Sequence, residues 1–292
     1  MILAIAATLY LYSPPKSLDV LDGLWPNESS ARRVATGVPF APGNSGDLDI
    51  WAPPIAAGAH KPVLIFFYGG AWVKGRRQDY GFVGRAYAAK GFVVVLPDYR
   101  KVPDVRFPAF MQDGATAVRW VHDNIARYGG DPDRIVLAGH SAGAYNAIML
   151  ALDSRYLRSA GVDPGVIKAA AGLAGPYDFY PFDSARAVAA MGNAPDPGQT
   201  QPITFARKDA PPLWLGTGTA DTEVKPRNAI ALAHREKALG STDTVLQEYP
   251  GFSHNDMIMA VSKPFRTKGP VLDDTVRFFN RYVGSSKAKV EG

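Results

Sequence analysis

The stretch Arg134-Ile135-Val136-Leu137-Ala138-Gly139-His140-Ser141-Ala142-Gly143 constrains this chain more than any other. A short apolar strand runs straight into Gly-x-Ser-x-Gly, and the apolar residues 144–152 predict a helix immediately afterwards. A strand-to-helix elbow this tight requires very small residues on either side of the serine. A Cβ at 139 or 143 would collide with the neighbouring strand and helix. Such an elbow raises the Ser141 hydroxyl above the sheet edge, beside the free N–H groups of the new helix, where a developing oxyanion can be held.

The rest of the chain repeats the same theme. Residues 62–68 and 92–96 are continuous apolar runs, the pattern of strands buried on both faces. Residues 167–173, 213–218 and 244–249 read as further strands. Two earlier strands, 34–40 and 47–51, flank Pro42-Gly43-Asn44-Ser45-Gly46, which spells a hairpin. Helical spacing is predicted over 80–90, 108–128, 229–239 and 271–283, with Gly91, Gly129-Gly130 and Gly240 as stop signals. Eight strands alternating with helices imply an α/β fold, a mostly parallel eight-stranded sheet with helices on both faces. Ligands of such sheets bind beyond the carboxyl ends of the strands. Gly69-Gly70, Ser141, Asp221 and His254 all lie there, after the third, fifth, seventh and eighth strands.

A serine hydroxyl needs a base, and five histidines are available. His60 precedes a strand at its amino end, the wrong edge of the sheet. His122 and His234 lie within helical runs. His140 adjoins the serine, with its side chain expected to leave the elbow on a different side. His254, in Gly251-Phe252-Ser253-His254 just beyond the last strand, is the candidate base. The carboxylate that orients it is read as Asp221 in Gly218-Thr219-Ala220-Asp221, which gives the chain order Ser, Asp, His. Glu223 is the alternative. Asp178 reads as a loop-closing residue, Asp256 is too near His254 in sequence to reach its ring easily, and Asp98 reads as bonding nearby backbone.

With Tyr68-Gly69-Gly70-Ala71-Trp72, Asp98-Tyr99-Arg100, Gly139-His140-Ser141-Ala142-Gly143, Gly218-Thr219-Ala220-Asp221 and Ser253-His254 in this order, residues 34–283 resemble serine esterases of the α/β-hydrolase fold. Within that fold they resemble the carboxylesterases related to hormone-sensitive lipase. The resemblance is strongest to the branch with a His-Gly-Gly-x-Trp loop that includes acetylxylan/feruloyl esterases and kynurenine formamidases. The resemblance implies an oxyanion hole from the N–H groups of Gly70, Ala71 and Ala142, with Gly69 shaping the loop. It also implies a substrate pocket bordered by Tyr68 and Trp72. Tyr68 stands where the family has a histidine whose ring pins the loop.

The expectation is a serine carboxylesterase for short-chain esters of small molecules, with no cofactor and no metal. An arylformamidase or other amidase on the same machinery, and a non-catalytic binding protein on the same scaffold, are the alternatives. Hydrophobic residues at 47% and charged residues at 20% fit a globular domain. The surplus of 32 basic over 27 acidic residues is scattered rather than striped, which argues against nucleic acid. The absence of cysteine excludes disulfides and thiolate catalysis.

The division expected is an N-terminal helical segment 1–33, a hydrolase domain 34–284 and a frayed tail 285–292. The domain carries a lid insertion at about 178–211, where the chain is proline-rich and aperiodic. Residues 18–25 read as a short amphipathic helix within the first segment. The apolar run 1–12 is shorter than the about 20 residues that span a bilayer. A helix packed over the domain, the remnant of a signal or anchor, and an interfacial tether that would bring membrane contact are its three readings, and compartment and oligomeric state stay open.

Overall fold

The computed structural model describes residues 14–25, 31–41, 46–56 and 58–284. The apolar run 1–12, most of the hairpin loop 42–46 and the tail 285–292 lie outside the described residues. Strands β1 (Arg32–Pro39), β2 (Asp47–Ala52), β3 (Lys61–Phe67), β4 (Val93–Pro97), β5 (Gly130–His140), β6 (Ile167–Leu173), β7 (Leu213–Gly218) and β8 (Thr244–Tyr249) form one sheet. Their order is β1-β2-β4-β3-β5-β6-β7-β8. β1 and β2 pair antiparallel, as do β2 and β4, and all the other neighbours are parallel. Val63 through Phe67 on β3 and Val93 through Val95 on β4 are fully buried, so both faces of the sheet are covered there. That double burial is why these strands are apolar without alternation.

The helices are α1 (Pro14–Leu24), α2 (Gly81–Ala89), α3 (Ala109–Asn124), α4 (Ala142–Leu152), α5 (Ser154–Ser159), α6 (Ala185–Met191), α7 (Arg227–Ala238), α8 (His254–Met259) and α9 (Val271–Val283). Every residue of α4 is buried. Its all-apolar, small-residue start lets it descend directly from the centre of the sheet. α3 ends in a short turn, 125–128, closed by Gly129 at φ 78°, a left-handed stop that a glycine adopts without steric cost.

Two elements differ from the sequence reading. α1 starts at Pro14 rather than at residue 18, because prolines in the first turn lack only N–H groups that a helix start leaves unbonded anyway. Within residues 178–211 the chain is more ordered than its composition suggests. It contains α6, capped by the Ser184 hydroxyl accepting from the Ala187 amide at 3.1 Å, and two short turns at Pro197–Thr200 and Pro202–Phe205.

Candidate active site

The elbow between β5 and α4 has the geometry that small flanking residues permit. Ser141 adopts φ 56° and ψ −123°, a strained conformation for a residue with a side chain, and its amide donates to the Leu173 carbonyl at 2.9 Å. A Cβ on Gly139 would lie 2.2 Å from the Gly143 carbonyl oxygen. A Cβ on Gly143 would lie 2.0 Å from the Phe67 carbonyl oxygen on β3. Neither collision involves a movable side chain, so both positions require glycine. The Ser141 side chain is half-buried and opens onto a cavity of about 390 Å³.

His254 is the first residue of α8 and lines the same cavity. Its Nδ1 lies 2.8 Å from Asp221 Oδ2. A carboxylate oxygen can only accept, so Nδ1 carries the proton and Nε2 is left as the basic nitrogen. The other carboxylate oxygen of Asp221 accepts from the Glu223 and Val224 amides, both at 2.9 Å. Asp221 is therefore locked by three donors in the turn after β7, and both it and His254 are buried. Glu223 contributes its backbone to that lock, while its own exposed carboxylate borders the cavity.

Two rival carboxylates, those of Asp256 and Asp98, are engaged elsewhere, and Asp178 is placed by its backbone. Asp256 accepts from the Ser253 amide at 2.9 Å and the Ser253 hydroxyl at 2.7 Å, fastening the start of α8, and pairs with Lys268. The Asp178 amide is held by Asn228 Oδ1 at 3.0 Å. Asp98 accepts from the Tyr68 hydroxyl at 2.8 Å and the Arg77 amide at 2.9 Å, and it also pairs with the Arg77 guanidinium, so side chains share it with backbone.

The loop after β3 supplies Gly69, Gly70 and Ala71 to the cavity. Gly70 has φ 132°, and a Cβ there would lie 2.2 Å from the Lys74 carbonyl oxygen. Ala71 and Trp72 follow at φ 52° and 59°. The Gly70 carbonyl accepts from the Val73 and Lys74 amides, both at 3.1 Å, which turns the loop back on itself. Ala142, next to the serine, is the first residue of α4, where a helix leaves its N–H groups without partners inside the helix.

Tyr68 and Trp72 do not line the cavity. Both are buried behind the loop and hold it from the rear. The Tyr68 hydroxyl also accepts from Lys101 Nζ at 2.9 Å, and its ring stacks on Tyr99 with centroids 4.7 Å apart. Burial raises its pKa well above the ordinary tyrosine value. Tyrosine's length thus carries the anchoring hydrogen bond back to Asp98. The Trp72 ring lies among Phe110, Tyr145 and Phe179, and its Nε1 donates to Asn146 Oδ1 at 3.1 Å. It is a packing anchor rather than a cavity wall, 3% exposed and absent from the cavity lining.

His140 also lies elsewhere than expected. Its ring packs against His254 with centroids 4.8 Å apart, and it borders the cavity. Its Nε2 donates to the His254 carbonyl at 3.1 Å, which leaves Nδ1 buried and unpartnered. Burial, reinforced by the neighbouring His254, pushes its pKa down to about 3.

The far side of the cavity comes from residues that the motifs do not include. Pro14, Pro15 and Leu18 of α1 and Ile258 and Met259 of α8 close it, with Lys74 and Arg186 at its edge. A signal existed for one of these: Ile258 is four residues after His254 and so shares its helix face. Among the described residues no group of three His, Asp or Glu side chains could hold a metal ion.

Several known proteins are similar to this chain. Esterase LipQ of Mycobacterium tuberculosis is 30% identical over 275 residues, which cover 87% of this chain and 64% of LipQ. Esterase LipC of the same organism is 31% identical over 227 residues, covering 71% of this chain and 56% of LipC. The chain thus spans only part of the length of these curated relatives. Among solved structures, esterase B of Lactobacillus rhamnosis, bound to a C6-C4 inhibitor, superposes with a TM-score of 0.78 at 18% identity, covering 96% of each chain. A truncated carbohydrate esterase from gut microbiota superposes at 0.76 with 22% identity, covering 89% of this chain and 99% of that one. At those identities the superpositions speak for the fold alone, and the fold is that of the α/β-hydrolases. The model of the BD-FAE family matches residues 48–235, well over half of the sequence, from within β2 past the Asp221 turn, so this chain belongs to the BD-FAE family.

Proposed function

We propose that the protein is a serine carboxylesterase that hydrolyses short-chain carboxylic esters through an acyl-enzyme. The observation that carries this reading is the locked pair of His254 and Asp221, 2.8 Å apart, in which His254 lines the same cavity as the elbow serine. Ser141 attacks the ester carbonyl while His254 Nε2 takes its proton. The amides of Gly70, Ala71 and Ala142 hold the oxyanion, and His254 then protonates the leaving alcohol and activates water for deacylation. Asp221 keeps the proton of His254 on Nδ1 and stabilises the imidazolium. The esterase names of the relatives LipQ and LipC support the same chemistry.

The short-chain preference rests on cavity size. About 390 Å³ lies near the lower end of the range of about 300–1,000 Å³ for small-molecule pockets, and Leu18, Ile258 and Met259 close it with apolar surface. The test is kcat/KM on a series of p-nitrophenyl esters of increasing acyl length, for the parent protein and for Ser141→Ala. The parent is expected to favour the shortest acyl chains. Ser141→Ala is expected to lose several orders of magnitude in turnover with its fold intact. A parent that turns over no ester in the series would refute the reading in favour of a binding protein, and a preference for the longest chains would refute its short-chain part.

A further inference from the structure

We propose that the rim of the catalytic cavity docks on an anionic lipid surface through the outward stripe of α1 and through α6. Two faces of α1 carry the argument. Leu18 and Asp22 point inward and are buried, while Lys16, Val20 and Leu24, spaced four residues apart, form one exposed line. The inward face is held fast: Arg85 on α2 bonds Asp19 Oδ1 and Asp22 Oδ2, each at 2.7 Å, and the Lys263 amide donates to Asp22 Oδ1 at 2.7 Å. The helix cannot roll to hide its apolar line without breaking these bonds. Val20, Leu24 and the adjoining Trp25 are 38%, 66% and 52% exposed.

The second half of the rim has the same character. Tyr180, and Val188 on α6, are 53% and 50% exposed. Of the six large apolar side chains exposed among the described residues, only Val34 lies away from these two segments. Both segments border the catalytic cavity, α1 through Pro14, Pro15 and Leu18 and α6 through Arg186. Five of the six exposed large apolar side chains thus belong to two segments that each contribute other residues to the cavity, where a soluble monomer would scatter them.

Charge selects the occupant. Lys16, Lys74 and Arg186 form no ion pair among the described residues, they stand against the exposed acids Glu223 at the cavity edge and Asp183 between Tyr180 and Val188, and the whole chain carries +5. A line of lysine, valine and leucine ended by tryptophan is the pattern of a helix lying in a bilayer interface, with its cations among anionic headgroups. Esters dissolved in or tethered to the interface would then enter the cavity from the lipid side.

The test is flotation of the full chain with vesicles of phosphatidylcholine alone and with about 30% phosphatidylglycerol added. The expected result is binding to the anionic vesicles that weakens in about 0.5 M salt. Two variants, Leu24→Glu with Trp25→Glu and, separately, Val188→Glu, should each lower the bound fraction at least about fivefold. None of these side chains lines the cavity, so hydrolysis of soluble p-nitrophenyl acetate should match the parent, which shows the fold intact and scores the esterase reading separately. No flotation of the parent would overturn the proposal. So would flotation that both variants retain, since binding would then reside in residues 1–12 alone. A dimer in the absence of lipid, dispersed by the same substitutions, would assign the rim to a second copy of the chain and overturn it as well.

Discussion

Replacing His140 with glutamine should flatten the acid dependence of stability, by an amount that follows from its burial. His140 is 4% exposed, gives its one proton to the His254 carbonyl, and has its pKa pushed from 6.5 down to about 3. Between those two values the unfolded chain binds nearly one proton more than the folded one, so stability falls as the pH falls. The contribution is intact above 6.5 and is lost progressively down to about 3. Each pH unit well inside that window is worth about 1.4 kcal/mol, and between about pH 6 and about pH 4 the loss comes to about 2.5 kcal/mol. Glutamine can present an N–H to the same carbonyl but does not titrate. Urea unfolding of parent and His140→Gln across that window, at fixed ionic strength, measures the difference. The other titratable groups are common to both proteins, so their contributions largely cancel. The parent should lose about 2.5 kcal/mol more than the variant over the two pH units. Curves that stay parallel would refute the idea that His140 is held neutral against His254.

Four further outcomes are expected. Asp221→Asn should lower turnover on p-nitrophenyl acetate by up to about 10⁴-fold by favouring the wrong His254 tautomer, whereas Asp178→Asn, remote from that ring's hydrogen bonds, should leave it near the parent value; the reverse order would mean that another carboxylate serves the histidine. Tyr68→Phe removes the hydroxyl between Asp98 and Lys101 and should cost about 1–3 kcal/mol of stability in urea unfolding; an unchanged midpoint would show that the loop does not depend on this anchor. Gly143→Ala should yield no folded protein, because its Cβ would lie 2.0 Å from a strand carbonyl. Gly251→Ala, at φ 74° with nothing within 4 Å, should fold with a loss of about 1–2 kcal/mol.

The centre of the sheet was legible because β3, β4, β6 and β7 are almost wholly buried, on both faces. β6, β7, β8 and α9 have the boundaries that the apolar runs and their glycine and proline stops imply. The elbow was legible for a related reason: Gly139 and Gly143 are set by collisions with backbone atoms, and backbone geometry around a strand-to-helix turn varies little. The contact of Asp221 with His254 could be anticipated because parallel strands deliver successive loops to one edge, so order along the chain becomes proximity in space. What escaped was the direction of individual side chains on strained backbone. The positive φ at Ser141 is a local conformation that periodicity does not encode, and the His140 ring lies against His254 rather than away from it. Trp72, after two left-handed steps, is likewise turned to the rear of the loop.

The far wall of the cavity was hidden for a different reason. Leu18 is one of several leucines in an amphipathic stretch, and nothing local to α1 says that its inner face closes a cavity around a serine more than a hundred residues away. That placement is decided by Arg85, whose guanidinium bonds two aspartates one helical turn apart, a pairing between segments that a periodicity argument cannot see. The same bonds set the outward face. An aspartate pair directed at Arg85 leaves Lys16, Val20 and Leu24 facing away from the domain, so the residues that fasten α1 over the cavity also determine what α1 offers to whatever approaches the opening. Closure of the cavity and exposure of the line Lys16, Val20 and Leu24 are therefore one structural event, and substitutions at Asp19, Asp22 or Arg85 should disturb both together.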